Sequence, residues 1–269
     1  MLLNKSKPLV MGILNITPDS FADGGKYFNN EEKCLEDALQ MEKFGAAFID
    51  IGAESSRPGS LAISAKEEIE RLEKILPLLL KNLSIPISLD TYKPEVTKWG
   101  LDNGVKIIND ITGFINEQMI KIVSEYKASC IIMHMLGNPQ DMQANPKYEK
   151  NVSEEVFAFL KKQSEKLLSA GVKDIAIDPG IGFGKTLEHN LTILREIKNF
   201  SALGLPVLLG TSRKAFIGNI SDVSVENRLP GTIAVNVFGF LNGVSIFRVH
   251  DVKEAKLSLE LIDKIMDRK

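Results

Sequence analysis

The sequence predicts an α/β protein, a (β/α)8 (TIM) barrel that takes up residues 1–269 as a single domain, and three observations predict it. Eight short apolar runs recur along the chain. Between them lie amphipathic stretches long enough for three or four helical turns. The length, 269 residues, is close to the roughly 250 residues usual for eight strand–helix units.

The runs are LVMGIL (9–14), AFIDIG (47–52), PISLD (86–90), KIINDI (106–111), SCIIMH (129–134), DIAID (174–178), PVLLGT (206–211) and VSIFRVH (244–250). An open doubly wound sheet is the competing architecture. It would place a glycine-rich phosphate loop after its first strand, whereas NITPDSFADGG follows here without the G-x-G-x-x-G spacing. Helical periodicity is read in EEKCLEDALQMEKFG, AKEEIERLEKILPLLLKNL, KPEVTKWGLDNG, INEQMIKIVSEY, VSEEVFAFLKKQSEKLLSAG, TLEHNLTILREIKNF and KEAKLSLELIDKIMD. Several end at Gly45, Gly104 or Gly171, where a left-handed cap favours glycine. The longest connections, Asn15 to Asn30, Glu54 to Ala65 and Leu136 to Asn151, each follow the C-terminal end of a strand. That is the face where barrels of this kind carry their sites.

With 44% hydrophobic and 25% charged residues, the chain has apolar material for a large core and no low-complexity tract. A formal net charge of -2 gives no sign of a polyanion-binding surface, so no nucleic acid is expected and the ligand is expected to be small. Cys34 and Cys130 lie far apart and outside any C-x-x-C spacing, which argues against a disulfide framework or a zinc site and suits a reducing compartment. LVMGIL is too short for a signal-peptide core or a membrane span. A cytoplasmic protein with no membrane association is the expectation.

If the barrel closes, its strand ends meet at one mouth. They offer Asn15 from the first strand; Glu54, Ser55, Ser56 and Arg57 from the second; Asp90 from the third; Asn109 and Asp110 from the fourth. The later strands add Met133 and His134, then Asp178, then Ser212, Arg213 and Lys214, and finally Arg248 and His250, which share one side of their strand. Each taken singly has a plainer reading: Asp90 before T-Y-K-P as a helix cap, His134 and Met133 as core, Lys214 as a solvated loop lysine. Together, carboxylates and cations aimed at one mouth point to a ligand site.

The cations Arg57, Lys214, Arg248 and His250 come from the second, seventh and eighth strands, which suits an anion, since such barrels commonly hold phosphate after strands seven and eight. Asp90, Asn109 and Asp178 offer acceptors to a nitrogen-rich ring. In DPGIGFGK (178–185), glycines at 180, 182 and 184 leave the backbone open to close approach and hold Phe183 out as an apolar wall. The glycine spacing is wrong for a Walker A loop.

The blocks MGILNITPDSFADGG, DIGAESSRPG, SLDTYKPEV, IINDITG, MHMLGNP, DPGIGFGK, GTSRKAFIG and IFRVHDV, in this order over nearly the whole chain, resemble those of the dihydropteroate synthases of folate biosynthesis. The resemblance implies a barrel enzyme, a transferase and usually a homodimer. It would condense 6-hydroxymethyl-7,8-dihydropterin diphosphate with 4-aminobenzoate, giving 7,8-dihydropteroate and pyrophosphate. It further implies that Asn15 reaches a Mg2+ on the diphosphate, and that Asp90, Asn109, Asp178 and Lys214 form the pterin pocket with Met133 as its apolar wall. Arg57, Arg248 and His250 would hold the diphosphate, with Ser56 beside them. Pro58, Gly182, Phe183 and Ser212 fall near the aminobenzoate, and the loops 15–30 and 54–65 match segments that close over the reacting ends. Asp90, Asp178, Lys214 and Arg248 are the residues that would carry catalysis. Sulfonamides would compete with 4-aminobenzoate.

The chain departs from the family pattern at Ser56, where threonine is frequent, at Tyr92, where a small residue is common, and at Leu136, where glutamine is frequent. The alternative is a pterin-dependent methyltransferase-like barrel, which shares the Asp/Asn/Asp pocket but has no need of the SRK and RVH cations. Two further readings are a Schiff-base aldolase using Lys214, its pKa depressed by Arg213, and a non-catalytic pterin-binding scaffold.

Overall fold

Each of the eight apolar runs forms a strand, and the two-residue repeat of a strand decides which side chains enter the barrel. The computed structural model describes residues 1–3, 7–17 and 30–267. The strands are β1 (Leu9–Asn15), β2 (Phe48–Gly52), β3 (Ile87–Asp90), β4 (Ile107–Asp110), β5 (Ser129–Met133), β6 (Ile175–Asp178), β7 (Leu208–Leu209) and β8 (Ile246–Val249). All pair in parallel in the order β6-β5-β4-β3-β2-β1-β8-β7. The remaining seam is narrow: Ile177 and Val207 form a lone bridge, and the Ile177 N–H donates to the Pro206 carbonyl at 2.9 Å. The barrel is thus nearly closed.

Met11, Phe48, Ile107, Ile131, Ala176, Leu208 and Ile246 fill the lower interior, with Leu3 packed beneath them. The chain start is fastened there by Asp174, whose carboxylate accepts the N–H of Leu2 at 2.6 Å and of Leu3 at 3.2 Å and the Ser129 hydroxyl at 2.7 Å. Two residues further along, the same inward column becomes polar: Asp50, Asn109, Asp178 and Arg248 follow Phe48, Ile107, Ala176 and Ile246. Outward residues such as Leu14, Ile51, Leu89, Ile108, Ile132 and Ile177 pack under the helices. The apolar floor and the polar mouth are therefore successive layers of the same strands.

The helices are α1 (Glu31–Lys43), α2 (Ala65–Leu72), α3 (Leu76–Asn82), α4 (Pro94–Asp102), α5 (Glu117–Tyr126), α6 (Val152–Ser169), α7 (Leu187–Arg195), α8 (Ala215–Ser221), α9 (Leu229–Leu241) and α10 (Val252–Ile265). Asn30, Ser64, Asn116, Asn151 and Thr186 cap their helices by accepting a first-turn N–H. Gly45, Gly104 and Gly171 take the expected positive φ, at 91°, 107° and 92°.

Two helical expectations need correction. The stretch 65–83, read as one helix, is broken into α2 and α3, because Pro77 cannot donate within a continuous helix and instead occupies the first turn of a new one. The segment before β8, where no helix was read, holds α8 and α9. In α9, LPGTIAVNVFGFL is apolar almost all round, so it carries no amphipathic signature. Among the described residues, no helix is long and apolar enough to cross a membrane. Cys34 and Cys130 are both buried and free.

Candidate active site

A cavity of about 630 Å³ opens at the C-terminal mouth of the barrel. Asn15 from β1, Asp90 from β3, Asn109 from β4, Met133 from β5, Asp178 from β6 and Arg248 from β8 line it. Loops complete the wall with Ser56, Arg57 and Pro58 after β2, Gly182 and Phe183 after β6, Ser212 and Lys214 after β7, and His250 after β8. These residues, singled out from the sequence, are thus brought to one place together with Arg213, whereas Glu54, Ser55, Asp110 and His134 do not line the cavity. Most of the loop 15–30 lies outside the described residues.

Two inward positions without side chains leave space between the polar groups at the mouth. A Cβ on Gly52 would lie 3.5 Å from both the Asn15 Oδ1 and the Asp90 Cβ, and one on Gly210 would lie 3.7 Å from the Asp178 Oδ2 and 3.8 Å from the Arg248 Cβ. Side chains at these points would fill the space between the polar groups.

Asp50, which the sequence reading did not single out, organises the floor. It is fully buried on β2; its Oδ2 accepts from Arg248 Nε at 2.6 Å and from Asn109 Nδ2 at 3.1 Å. Arg248 Nη2 donates to Asp90 Oδ2 at 2.8 Å. Cations and carboxylates are therefore not segregated to opposite flanks as expected: Arg248 lies across two acids, because β8, β1, β2 and β3 are neighbours whose inward residues share one layer. The named bonds use Nε and Nη2 of a guanidinium that carries five N–H groups.

Burial is the largest influence on Asp90, Asp178, Lys214, Arg248 and His250. It pushes the Asp90 carboxyl up to about 7, with Arg248 opposing and Asp50, Glu68 and Asp110 reinforcing the rise. Asp178 is raised by burial too, against Lys214 and the Gly180 N–H, which donates to Asp178 Oδ1 at 2.7 Å. Arg248 is also penalised by burial, but Asp50 and Asp90 outweigh this and hold it above its ordinary value. Burial lowers Lys214 to about 8, with Asp178 opposing. Arg213 is not the cause of this depression: its guanidinium pairs with Asp251, Nε to Oδ2 at 2.9 Å. His250, read as a cation, is driven down to about 3 by burial and Arg248, so it is neutral near pH 7, with Nδ1 3.0 Å from the Ser212 hydroxyl.

The loop after β6 shows why its glycines are needed. Gly180 has φ 69°, and a Cβ there would stand 1.9 Å from the His134 carbonyl oxygen; one on Gly184 would stand 2.3 Å from that of Leu136. At these two points the close approach is by the chain's own backbone rather than by a ligand. Lys185, a second residue the sequence reading passed over, is 2% exposed and bonds the loop to β5: its Nζ is 3.0 Å from His134 Nδ1 and donates to the His134 and Phe183 carbonyls at 3.3 and 3.0 Å. Phe183 is thereby held where Lys214 Nζ sits 4.6 Å over its ring, and Lys214 also donates to the Ile181 carbonyl. His134 is a core histidine, held near pKa 3 by burial and Lys185 and packed edge-on to Phe159 at 5.0 Å. Asp110 faces outward from the cavity and caps the turn that follows, accepting from Thr112 N at 2.7 Å and Phe114 N at 3.0 Å.

The fold and this site together define a pterin-binding enzyme barrel: residues 11–250 match the family described as pterin binding enzyme. The chain is 41% identical to the dihydropteroate synthase of Clostridium beijerinckii over 96% of its own length and 94% of that protein's. It superposes on the Yersinia pestis dihydropteroate synthase, solved as a sulfonamide drug complex, with a TM-score of 0.93, 35% identity and coverage of 98% and 96% of the two chains. Against the Clostridium difficile dihydropteroate synthase, solved in the presence of pteroic acid, the TM-score is 0.89 at 42% identity, covering 98% of each chain. The chain belongs to the dihydropteroate synthases.

Proposed function

We propose that this chain condenses 6-hydroxymethyl-7,8-dihydropterin diphosphate with 4-aminobenzoate, and that the roles are divided around the cavity as its geometry suggests. The observation that carries the reading is the meeting of Asp90, Asn109, Asp178 and Lys214 beside Arg248 in one cavity, in a chain of this family. Membership in the synthases decides against the methyltransferase-like alternative.

Asp90 and Asp178 accept hydrogen bonds from the pterin ring, and Met133, 4% exposed, covers its apolar face. Asn109 has its amide nitrogen committed to Asp50, so its oxygen meets the ring. The C–O bond to the methylene carbon breaks first, and pyrophosphate leaves with the electron pair. Arg57, Arg248 and His250 bind it, His250 as a neutral hydrogen-bonding partner; they accelerate the step to the extent that they bind the growing charge more tightly than the starting diphosphate. The cation left behind is conjugated with the ring, where the two buried carboxylates stabilise it. The arylamine lone pair then forms the C–N bond, and its lost proton passes to solvent or to the departing pyrophosphate. Ser56, Pro58, Gly182, Phe183 and Ser212 orient the aminobenzoate, because a weak nucleophile gains most from placement.

Among the described residues no cluster of three or more metal-ligating His, Cys, Asp or Glu exists. A single amide oxygen, that of Asn15, at the cavity suits a Mg2+ carried in by the diphosphate, since Mg2+ is commonly held by one or two protein oxygens, substrate phosphates and water. When bound, it would neutralise charge on the leaving pyrophosphate.

A homodimer is supported by an apolar stripe on the outer surface: Leu257, Leu261 and Ile265 of α10 are 60%, 63% and 66% exposed, beside Phe238 and Leu241 of α9. Buried free Cys34 and Cys130 support a reducing, cytoplasmic setting. The test of the function is pyrophosphate release with both substrates present and with each omitted in turn. Release that needs both supports the reading; release without 4-aminobenzoate at the same rate, or none at all, overturns it.

A further inference from the structure

The 55–63 loop, which carries Ser56, Arg57 and Pro58 to the cavity, is fastened by a buried polar cluster that does not itself line the cavity. Glu54 stands at its centre. Its Oε1 accepts from the Ile63 N–H at 3.0 Å and from the Tyr92 hydroxyl at 3.1 Å, so one oxygen ties the far end of the loop to the near end and to the connection after β3. Its Oε2 accepts from Lys93 Nζ at 2.6 Å, and the same ammonium donates to Glu68 on α2 at 2.5 Å. The side chains of Lys93, Glu54 and Glu68 are 14%, 10% and 0% exposed, so the three charges are held largely away from water. Inside the loop, the Ser60 hydroxyl donates to the carbonyls of Ser55 at 2.6 Å and Arg57 at 2.8 Å, and the Gly59 N–H reaches across to the Pro139 carbonyl at 2.9 Å.

Burying a Lys shared between two carboxylates contributes little net stability compared with apolar side chains of the same size. What such a cluster does supply is a fixed direction, since each bond is lost if the loop base rotates. We propose that Glu54, with Tyr92 and Lys93, is a positioning residue: it closes the base of the 55–63 loop so that Arg57 and Pro58 face the cavity before substrate arrives, and it thereby sets the affinity for 4-aminobenzoate. Tyr92 adds a hydroxyl tie to this loop. The proposal rests on the synthase reading for its kinetic readout, but amide exchange in the loop reads it independently.

The test compares wild type with Glu54→Ala, Glu54→Gln and Tyr92→Phe, the last removing one hydroxyl and leaving the fold intact. Glu54→Ala is expected to raise the KM for 4-aminobenzoate about tenfold, to lower kcat as well because Arg57, which binds the leaving group, shifts with the loop, and to speed amide hydrogen exchange across residues 55–63 alone. Glu54→Gln keeps an oxygen for Ile63 and Tyr92 but turns an amide N–H toward Lys93, so it is expected to recover only part of the loss; Tyr92→Phe is expected to give a smaller rise, about threefold. Binding of 6-hydroxymethylpterin, which lacks the diphosphate and needs only the ring pocket, is expected to stay within about twofold throughout. An unchanged KM with unchanged exchange, or a parallel fall in pterin binding, overturns the proposal. A wild-type protein without synthase activity removes the synthase reading, while the exchange in the loop still decides the positioning role.

Discussion

Replacing Arg248 with methionine removes the guanidinium that holds Asp50 at 2.6 Å and Asp90 at 2.8 Å, while keeping an apolar stem of similar length. Asp50 is 0% exposed and Asp90 15%, so little water can take the cation's place. Breaking a buried pair by deleting one partner costs about 3–5 kcal/mol, a large part of a typical total of roughly 5–15 kcal/mol. The loss depends on pH, with a definite sign. The folded Asp90 value, raised to about 7, already lies above the roughly 3.9 of an unfolded chain, and losing Arg248 raises it further. A raised carboxyl binds protons more readily when folded, so its contribution is fully present below the unfolded value and is lost as pH climbs through the folded one. The variant therefore loses more stability near pH 8 than near pH 5, by up to about 1.4 kcal/mol, because pH 8 lies about one unit above the wild-type value. Urea denaturation at both pH values, followed through the single tryptophan, Trp99, measures it. Arg248→Lys, which keeps a cation, is expected to lose less. A loss that is the same at both pH values, or smaller than about 1 kcal/mol, refutes the clamp.

Other outcomes follow from the same geometry. Because Lys214 is lowered to about 8, kcat/KM for the dihydropterin diphosphate is expected to fall above that pH; a profile for Lys214→Arg in which the alkaline limb stays in place would show that another group is responsible. On the acid side, Asp90 takes up a proton below about 7, so the same parameter falls as pH drops through that value, and a flat profile down to about pH 5 contradicts this. Asp178→Ala is expected to lower turnover by about 100-fold or more, read as product formed under saturating substrates; near wild-type turnover would remove it from the mechanism. Gly180→Ala places a Cβ 1.9 Å from the His134 carbonyl oxygen at φ 69°, and is expected to lower Tm by several degrees, at about 2–4 °C per kcal/mol for a chain of this class; an unchanged Tm by calorimetry refutes the crowding.

What could be read in advance was whatever follows from strand periodicity. Eight apolar runs gave eight strands, and the residue two positions beyond the lower inward one, which is apolar in most strands and Ser88 in β3, stands at the mouth. Asp90, Asn109, Asp178 and Arg248 were legible for that reason, although their partners are up to 198 positions away in sequence. Asp50 was missed because it lies inside a run, between Phe48 and Gly52, where an acid looks like an interruption of the strand rather than its most buried polar point. Lys185 was missed because the lysine of G-F-G-K invited comparison with a phosphate loop, whereas its bonds to His134 exist only once β5 and β6 are side by side.

Charge state was harder to read than position. A list of cations from the second, seventh and eighth strands suggests an anion-binding flank, but that inference treats each side chain as if it were in water. In the folded chain, β8 is two strands away from β2 and three from β3 in the sheet order, and the Arg248 side chain is long enough to span that gap. Burial then selects against any unpaired charge, leaving Arg248 bonded to two acids and His250 neutral beside Ser212. Before ligand binding, Arg248 is thus charge-compensated by Asp50 and Asp90. A ring N–H that engages Asp90 competes with Arg248 for the same carboxylate, so recognition of the ring and of the diphosphate are linked through that one ion pair.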